Sequence, residues 1–178
     1  AWTCDGKPLA SSDSHIFKTN VLACGVPALA DLDGDGLAEI IIFDGMSQTV
    51  RAWHGDGTGV IRAYGAIATL PMCDDVRGVS IADLDGDGEM DLFVGPAWVK
   101  LSRDGKVNVV MMIPGASGTF MQDTITDLDG DGLAEILIGG HDGRVAIYRT
   151  GKHIRPELVQ WSTTAGKSRH TGCWQRPA

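Results

Sequence analysis

Three acidic nonapeptides of nearly identical sequence are the residues of this chain best suited to chemistry. They begin at Asp31, Asp83 and Asp127 and follow the pattern D-x-D-x-D-G-x-x-[DE], with carboxylates at loop positions 1, 3, 5 and 9. At roughly 5 Å and an effective dielectric constant near 20, each like-charge pair costs about 3 kcal/mol. A hard divalent cation with several oxygen ligands removes this repulsion, and Ca²⁺ is the usual occupant of such cages. The sequence therefore predicts three Ca²⁺ sites.

The predicted ligands are equivalent in the three loops: four side-chain carboxylates and the backbone carbonyl of position 7. We expect the glycine at position 6, which is Gly36, Gly88 or Gly132, to adopt a positive φ that brings position 7 round to the ion. The predicted ligands are Asp31, Asp33, Asp35, Leu37 (carbonyl) and Glu39; Asp83, Asp85, Asp87, Glu89 (carbonyl) and Asp91; and Asp127, Asp129, Asp131, Leu133 (carbonyl) and Glu135.

The EF-hand is the obvious alternative for such a loop, and position 12 excludes it. An EF-hand needs a bidentate Glu at position 12 and a helix on each side. Position 12 is occupied here by Ile42, Val94 and Ile138, all apolar. Dockerin-type loops need a polar ligand at this position too, so they fail for the same reason.

The segments that flank the loops predict β-strands. Short apolar runs such as Val79–Ala82 precede a loop, and runs such as Glu39–Phe43 and Glu135–Ile138 follow one. Short apolar runs with glycine-rich boundaries favour buried strands over helices. Each acidic loop is therefore predicted to lie in the turn of a β-hairpin.

With these flanks, the segment Val26-Pro-Ala-Leu-Ala-Asp-Leu-Asp-Gly-Asp-Gly36 and its two copies resemble FG-GAP/VCBS repeats. These repeats form the calcium-loop blades of integrin-α-type β-propellers and of many bacterial surface proteins. The resemblance covers about residues 21–161. It implies four-stranded antiparallel blades with Ca²⁺ in the first hairpin of each blade, and binding or adhesion far more often than catalysis.

The spacing of the repeats also predicts a propeller. Successive loops begin 52 and 44 residues apart, within the range of propeller blades. A weaker repeat at residues 1–6, 52–57, 100–105 and 146–151 predicts four outer hairpins against three calcium-bearing inner ones. Joining both termini in one blade would remove exposed sheet edges. An open arc completed by another chain, or a fragment of a longer protein, remains the alternative.

We therefore predict a single all-β domain, a propeller-like array of about four four-stranded antiparallel blades. Three of these blades would carry a calcium loop, and N- and C-terminal strands would close the array. The predicted boundaries are a domain over residues 1–178, calcium-loop repeats near 26–65, 76–113 and 119–161, and termini 1–25 and 162–178 that complete a blade.

Charge and cysteine content indicate the compartment. The net charge is −8, and the calcium loops hold 13 of the 23 acidic residues, which argues against a nucleic-acid partner. The cysteines show no C-x-x-C spacing, so disulfides in an oxidising compartment are predicted, with all three pairings open. No apolar run is long enough to span a membrane, and we expect an exported chain without its leader, placed outside the cell, on its surface or in the periplasm. The four cysteines are Cys4, Cys24, Cys73 and Cys173.

No catalytic motif accompanies the calcium loops, so a non-enzymatic module is predicted. By family analogy, loops 43–48, 95–98 and 139–143 line one face of the ring, where His141 and Asp142 would lie. Trp98 follows the turn-like stretch 95–97 and is the candidate exposed aromatic for a lectin-like, sugar-stacking role. The predicted function is calcium-stabilised binding or adhesion to a glycan or protein. The alternatives are a self-assembling subunit of a surface filament, pilus or multi-chain ring and, with no motif in support, a polysaccharide lyase or hydrolase.

Overall fold

The structure is a computed structural model in which the described residues form twelve β-strands and no α-helix. All pairings between these strands are antiparallel, so the predicted all-β antiparallel class is confirmed. No helix in the described part of the chain has the length and apolarity needed to cross a bilayer. The described residues are 25–60, 65–70, 76, 78–102, 106–114, 120–140, 142–155 and 158–161.

The strands form three sheets that follow the order of the acidic loops. The first sheet has the order β1-β2-β3-β4, the second β12-β5-β6-β7-β8 and the third β11-β10-β9. The strands are β1 Ala28–Ala30, β2 Glu39–Asp44, β3 Thr49–Trp53, β4 Ala66–Thr69, β5 Ser80–Ala82, β6 Met90–Val94, β7 Ala97–Leu101, β8 Val107–Met112, β9 Phe120–Thr126, β10 Leu133–Gly140, β11 Val145–His153 and β12 Val159–Trp161.

Each acidic loop joins two neighbouring strands, β1 to β2, β5 to β6 and β9 to β10. The pairing is in register up to the loop, because Ala30 lies opposite Glu39 and Ala82 lies opposite Asp91. Loop position 9 is thus also the first residue, or close to the first, of the strand that follows. The predicted hairpin position of all three loops is confirmed.

The second sheet lies between the other two and contributes to both hydrophobic cores. Its strand β6 is buried along its whole length. Leu92 and Val94 pack with the first sheet around Ile41, whereas Phe93 packs with the third sheet around Ile136. Full burial of a side chain of this size contributes about 1.5–3 kcal/mol relative to exposure. The two cores therefore hold the acidic hairpins against one another through β6.

The third repeat departs from the predicted boundaries. Strand β11 runs through Gly151, where an outer turn was expected, and continues to His153. The chain then crosses back, and β12 pairs with β5 of the second sheet instead of extending the third. Residues 1–24 and 162–178, predicted to complete a blade, lie outside the described residues, and so do all four cysteines.

Candidate metal sites

The acidic loops share one backbone conformation, which is organised by the carboxylate at position 1. In the first loop, Asp31 Oδ1 accepts the N–H of Gly34 at 2.7 Å and Oδ2 accepts the N–H of Gly36 at 2.9 Å. A chain that wraps around one carboxylate needs left-handed residues, which glycine supplies without a steric penalty. The same pair of bonds joins Asp83 to Gly86 (2.7 Å) and Gly88 (2.9 Å), and Asp127 to Gly130 (2.7 Å) and Gly132 (3.0 Å).

The glycine conformations confirm the prediction for position 6 and extend it to position 4. The φ angles at position 6 are 86° for Gly36, 82° for Gly88 and 83° for Gly132. The glycines at position 4 also have positive φ, which the sequence analysis did not anticipate. Their φ angles are 81° for Gly34, 75° for Gly86 and 79° for Gly130.

The remaining carboxylates turn inward within this frame. At position 5, Asp35 Oδ1 accepts the N–H of Leu37 at 2.7 Å, and Asp87 and Asp131 make the equivalent bond at 2.8 Å. Carboxylate oxygens consequently converge, and within each group one oxygen per residue lies within 4.8 Å of the others. Three groups among the described residues consist of carboxylates alone: Asp31, Asp33 and Asp35; Asp83, Asp85 and Asp87; and Asp127, Asp129 and Glu135. A fourth group combines Asp33 and Glu39 with His54.

The carboxylate at position 9 is buried in every loop and braces the start of the loop. Glu39, Asp91 and Glu135 are 0%, 2% and 2% exposed. In each case one oxygen accepts the backbone N–H of loop position 2. These bonds are Leu32 N–H to Glu39 Oε2 (2.7 Å), Leu84 N–H to Asp91 Oδ2 (3.0 Å) and Leu128 N–H to Glu135 Oε2 (2.9 Å).

The second oxygen of position 9 distinguishes the three loops. Asp91 Oδ1 accepts the indole N–H of Trp98 at 2.8 Å, and Glu135 Oε1 accepts Nε–H of Arg149 at 3.1 Å. Glu39 Oε1 accepts no hydrogen bond from the described residues, and Nδ1 of His54 lies 3.4 Å from it. Burial raises the pKa of Glu39 to about 7, and burial also raises the pKa of Asp91.

A basic side chain projects from the partner strand beside every position 9. The register places Lys100 opposite Asp91 and Arg149 opposite Glu135, and it aligns His54 with Glu39 because Ile40 pairs with the preceding Trp53. The sequence analysis missed these three residues. Their separations from position 9 are 9, 14 and 15 residues, so no fixed spacing signals them in the sequence.

These bases contact further carboxylates of the same loops. Lys100 Nζ lies 2.9 Å from Asp85 Oδ2 and 2.7 Å from Asp87 Oδ2, and its hydrogen bond lowers the pKa of Asp87. Arg149 Nη2 makes an ion pair with Asp129 and lies 4.0 Å from Asp131 Oδ2. In the first loop, by contrast, His54 Nε2 approaches Asp33 only to 4.0 Å.

Comparison with known proteins supports the resemblance drawn from the repeats. Residues 12–94 match the family model described as FG-GAP-like repeat. The matched stretch contains the first two acidic loops, and comparison with curated proteins gives no match. Among solved structures, the chain is similar to the crystal structure of the V. cholerae biofilm matrix protein Bap1, with 20% identity and a TM-score of 0.43. The similarity covers 67% of this chain and 19% of the other, so the chain spans about a fifth of that protein's length.

The acidic loops offer a donor set that fits a hard cation. Every converging ligand atom in the three triads is a carboxylate oxygen, the donor type that Ca²⁺ prefers. Oε1 of Glu39 is buried beside Asp33 and accepts no hydrogen bond from the described residues. A buried acceptor without a hydrogen bond carries a desolvation cost, which a bound cation removes. The residues present therefore fit calcium. The fit is clearest in the first loop, where Oε1 of Glu39 accepts no hydrogen bond from the described residues.

The predicted role of Trp98 as an exposed aromatic is wrong. Trp98 belongs to β7 and is only 7% exposed, because the turn before it consists of two residues and Ala97 already begins the strand. Its ring packs 5.4 Å from Phe93 and edge-on at 6.5 Å to Tyr148. On the predicted ligand face, Asp142 is partly exposed and pairs with Arg144 at 3.4 Å, and His141 lies outside the described residues.

A second buried carboxylate, Asp123, lies away from the loops in strand β9. It is 1% exposed, and neither side-chain oxygen accepts a well-formed hydrogen bond from the described residues, although the backbone N–H of Gly95 lies nearby. Burial raises the pKa of Asp123 well above its ordinary value, and the backbone N–H of Gly95 offsets only part of this effect. Val79 occupies the equivalent place, four residues before the loop, in the second repeat.

Proposed function

We propose that this chain is a calcium-stabilised, non-catalytic module that binds or adheres to a glycan or protein outside the cytoplasm. The observation that carries the proposal is the threefold repetition of one oxygen-lined loop, in which Glu39 leaves a buried acceptor orphaned. The match to FG-GAP-like repeats supports it, because that family implies binding more often than catalysis. No motif for nucleophilic, zinc-dependent or nucleotide chemistry appears in the sequence.

Calcium would stabilise the fold by linking the two strands that flank each acidic loop. Position 1 follows the first strand and position 9 lies at or near the start of the second, so one ion bound to both ties the strands together. A ligand that binds only the folded state at ten times its Kd adds roughly 1.4 kcal/mol per site. Three such sites would contribute about 4 kcal/mol, a large share of the stability of a domain of this size.

The proposed architecture is a small propeller in which the three sheets are blades. Its support is that β5, the first strand of the second calcium hairpin, contacts both β1 and β9, the first strands of the other two. The second sheet contacts the first on one side and the third on the other, as successive blades do. In this proposal residues 1–25 and 162–178 supply strands of a further blade.

The proposed ligand face is formed by the turns that follow β2, β6 and β10. The first of these turns is well braced, because Asp44 accepts hydrogen bonds from Ser47 Oγ at 2.6 Å and from the N–H of Met46 at 3.1 Å. Met46, which belongs to this turn, is 70% exposed. Binding residues are commonly carried on loops that a rigid scaffold presents, and these turns meet that description.

Native mass spectrometry tests the calcium part of the proposal. We expect the folded chain to take up three Ca²⁺ ions and to lose them, together with thermal stability, in chelator. The binding part is tested by applying the calcium-loaded chain to glycan arrays and to immobilised extracellular proteins, with a chelated sample as control. Correctly folded protein that takes up no calcium would contradict the proposal.

Self-assembly is the second candidate, and one observation favours it. Strand β11 lies at the edge of the third sheet as far as the structure describes it, and Val145 and Ile147 are 65% and 57% exposed there. Exposed apolar edge strands pair readily with other chains. Analytical ultracentrifugation with and without calcium would distinguish a defined oligomer or filament from a monomeric binding module.

A further inference from the structure

The side chain that faces position 9 across each hairpin is the main chemical difference among the three loops. Loop backbone, position 1 hydrogen bonds and position 9 burial are the same in all of them. The facing residues are His54, Lys100 and Arg149. Lys100 and Arg149 make ion pairs with the position 3 carboxylates of their loops, whereas His54 approaches the position 3 carboxylate Asp33 only to 4.0 Å.

In the second loop, Lys100 occupies the space between two predicted ligands. Its ammonium contacts both Asp85 and Asp87, and Lys152 approaches Asp85 at 3.5 Å from the other side. The guanidinium of Arg155 lies against the loop as well, since a Cβ added at Gly86 would be 2.7 Å from its Nη1. The predicted ligands Asp85 and Asp87 of the second loop are thus already paired with basic side chains of the same chain.

In the third loop, Arg149 has a comparable role. Its guanidinium reaches three predicted ligands, because it donates to Glu135 and Asp129 and approaches Asp131. A metal ion that binds Glu135 through Oε1 must displace the Nε–H of Arg149. In the first loop, the corresponding oxygen of Glu39 accepts no hydrogen bond from the described residues, although it is completely buried.

We propose that the residue facing position 9 ranks the three calcium sites: the first loop binds Ca²⁺ most tightly, and the second and third loops hold Lys100 and Arg149 as internal counter-cations that the ion must displace. This inference rests on the proposed calcium binding. Its consequence is a graded response, in which low calcium fills the first loop while side-chain cations keep the other two neutralised. Removal of a unit charge about 5 Å from a divalent ion is worth about tenfold in affinity even at the dielectric constant of water.

The test is calcium titration of the full chain by calorimetry and native mass spectrometry, on the wild type and on three exchanges of the facing residue. We expect one tight and two weaker binding events in the wild type. Lys100→Met and Arg149→Met should each convert one weak event into an event about tenfold tighter. His54→Lys should weaken the tight event by about tenfold. Arg144→Gln is the matched control, because Arg144 pairs with Asp142, which belongs to none of the acidic loops, so it should change none of the events.

The outcomes separate this inference from the proposed function. Three equal sites that respond to none of the exchanges would overturn the ranking and leave calcium binding intact. A folded wild-type chain that takes up no calcium would overturn both. Weakening of the first site by His54→Lys supports the ranking even where a methionine variant fails to fold, because the lysine exchange keeps a basic side chain beside Glu39 and Asp33.

Discussion

The first and second acidic loops have the same pattern, the same glycine conformations and the same bonds around position 1, yet they solve the problem of charge differently. In the second loop, Trp98 and Lys100 supply donors to Asp91, Asp85 and Asp87. In the first loop, Glu39 is buried with one oxygen bonded to the loop backbone, and the other accepts no hydrogen bond from the part of the chain that the structure describes. A repeated motif can therefore preserve its backbone while the neighbouring strand decides which donors reach its carboxylates.

The largest expected effect comes from exchange of Glu39 for Gln, measured by thermal unfolding in calcium and in chelator. With calcium at 100 times Kd, loss of the first site should cost about 2.7 kcal/mol. In chelator we expect the opposite sign. The pKa of Glu39 is raised to about 7 in the metal-free fold, so ionisation at pH 8 opposes folding, and the neutral amide should stabilise the metal-free chain by about 2 kcal/mol.

The pH dependence of this effect follows from the direction of the pKa shift. Because the folded pKa of Glu39 lies above the value of 4.5 expected in the unfolded chain, the metal-free wild type should lose stability as the pH rises from about 4.5 through about 7. The variant should lack this loss. Glu135→Gln is the matched control in the third loop. It should destabilise the protein in chelator as well, since it weakens an existing bond to Arg149.

Asp123 extends the comparison to the strands that precede the loops. Exchange for Val, the residue at the equivalent place in the second repeat, should stabilise the protein by about 1–3 kcal/mol at pH 8, because it removes a buried carboxylate that accepts no well-formed hydrogen bond from the described residues. The pKa of Asp123 is raised by burial, so the advantage of the variant should vanish below the ordinary carboxyl pKa and grow as the pH rises. Equal stability of both chains from pH 4 to pH 8 in urea unfolding would contradict this account.

Trp98 sharpens the comparison in the second loop. Trp98→Phe keeps an aromatic ring beside Phe93 but removes the indole N–H that Asp91 Oδ1 accepts at 2.8 Å. A buried carboxylate oxygen that loses its donor should cost about 1–3 kcal/mol in chelator. Calcium should recover part of this loss, because the freed oxygen then becomes available to the ion. Chemical unfolding of wild type and variant, each with and without calcium, measures both effects.

The local features of these sites could be predicted from sequence, and the contacts between strands could not. The pattern of the loops fixes their hairpin position and the positive φ of Gly36, because both depend on residues within one turn. The positions of Lys100 and Arg149 depend on hairpin register, and their distances from position 9 differ. The exposure of Trp98 was mispredicted because the adjacent turn is shorter than its glycine and proline suggest. The return of β12 to β5 depends on packing between repeats, which no local pattern encodes.

The smallest expected effect comes from Arg149→Gln, which tests whether a basic side chain beside a loop stabilises the metal-free chain. Arg149 is more than half exposed, and exposed ion pairs typically contribute about 0.2–1 kcal/mol. Arg149→Gln should therefore lower the stability of the metal-free chain by no more than about 1 kcal/mol, and 1 M salt should shrink the difference by screening. The same exchange at Arg144, which pairs with Asp142 at a turn, should have less effect still. If Arg149→Gln instead stabilised the metal-free chain, the guanidinium would not be relieving repulsion among the carboxylates of the third loop. The contrast between this loop and the first would then lose its electrostatic basis.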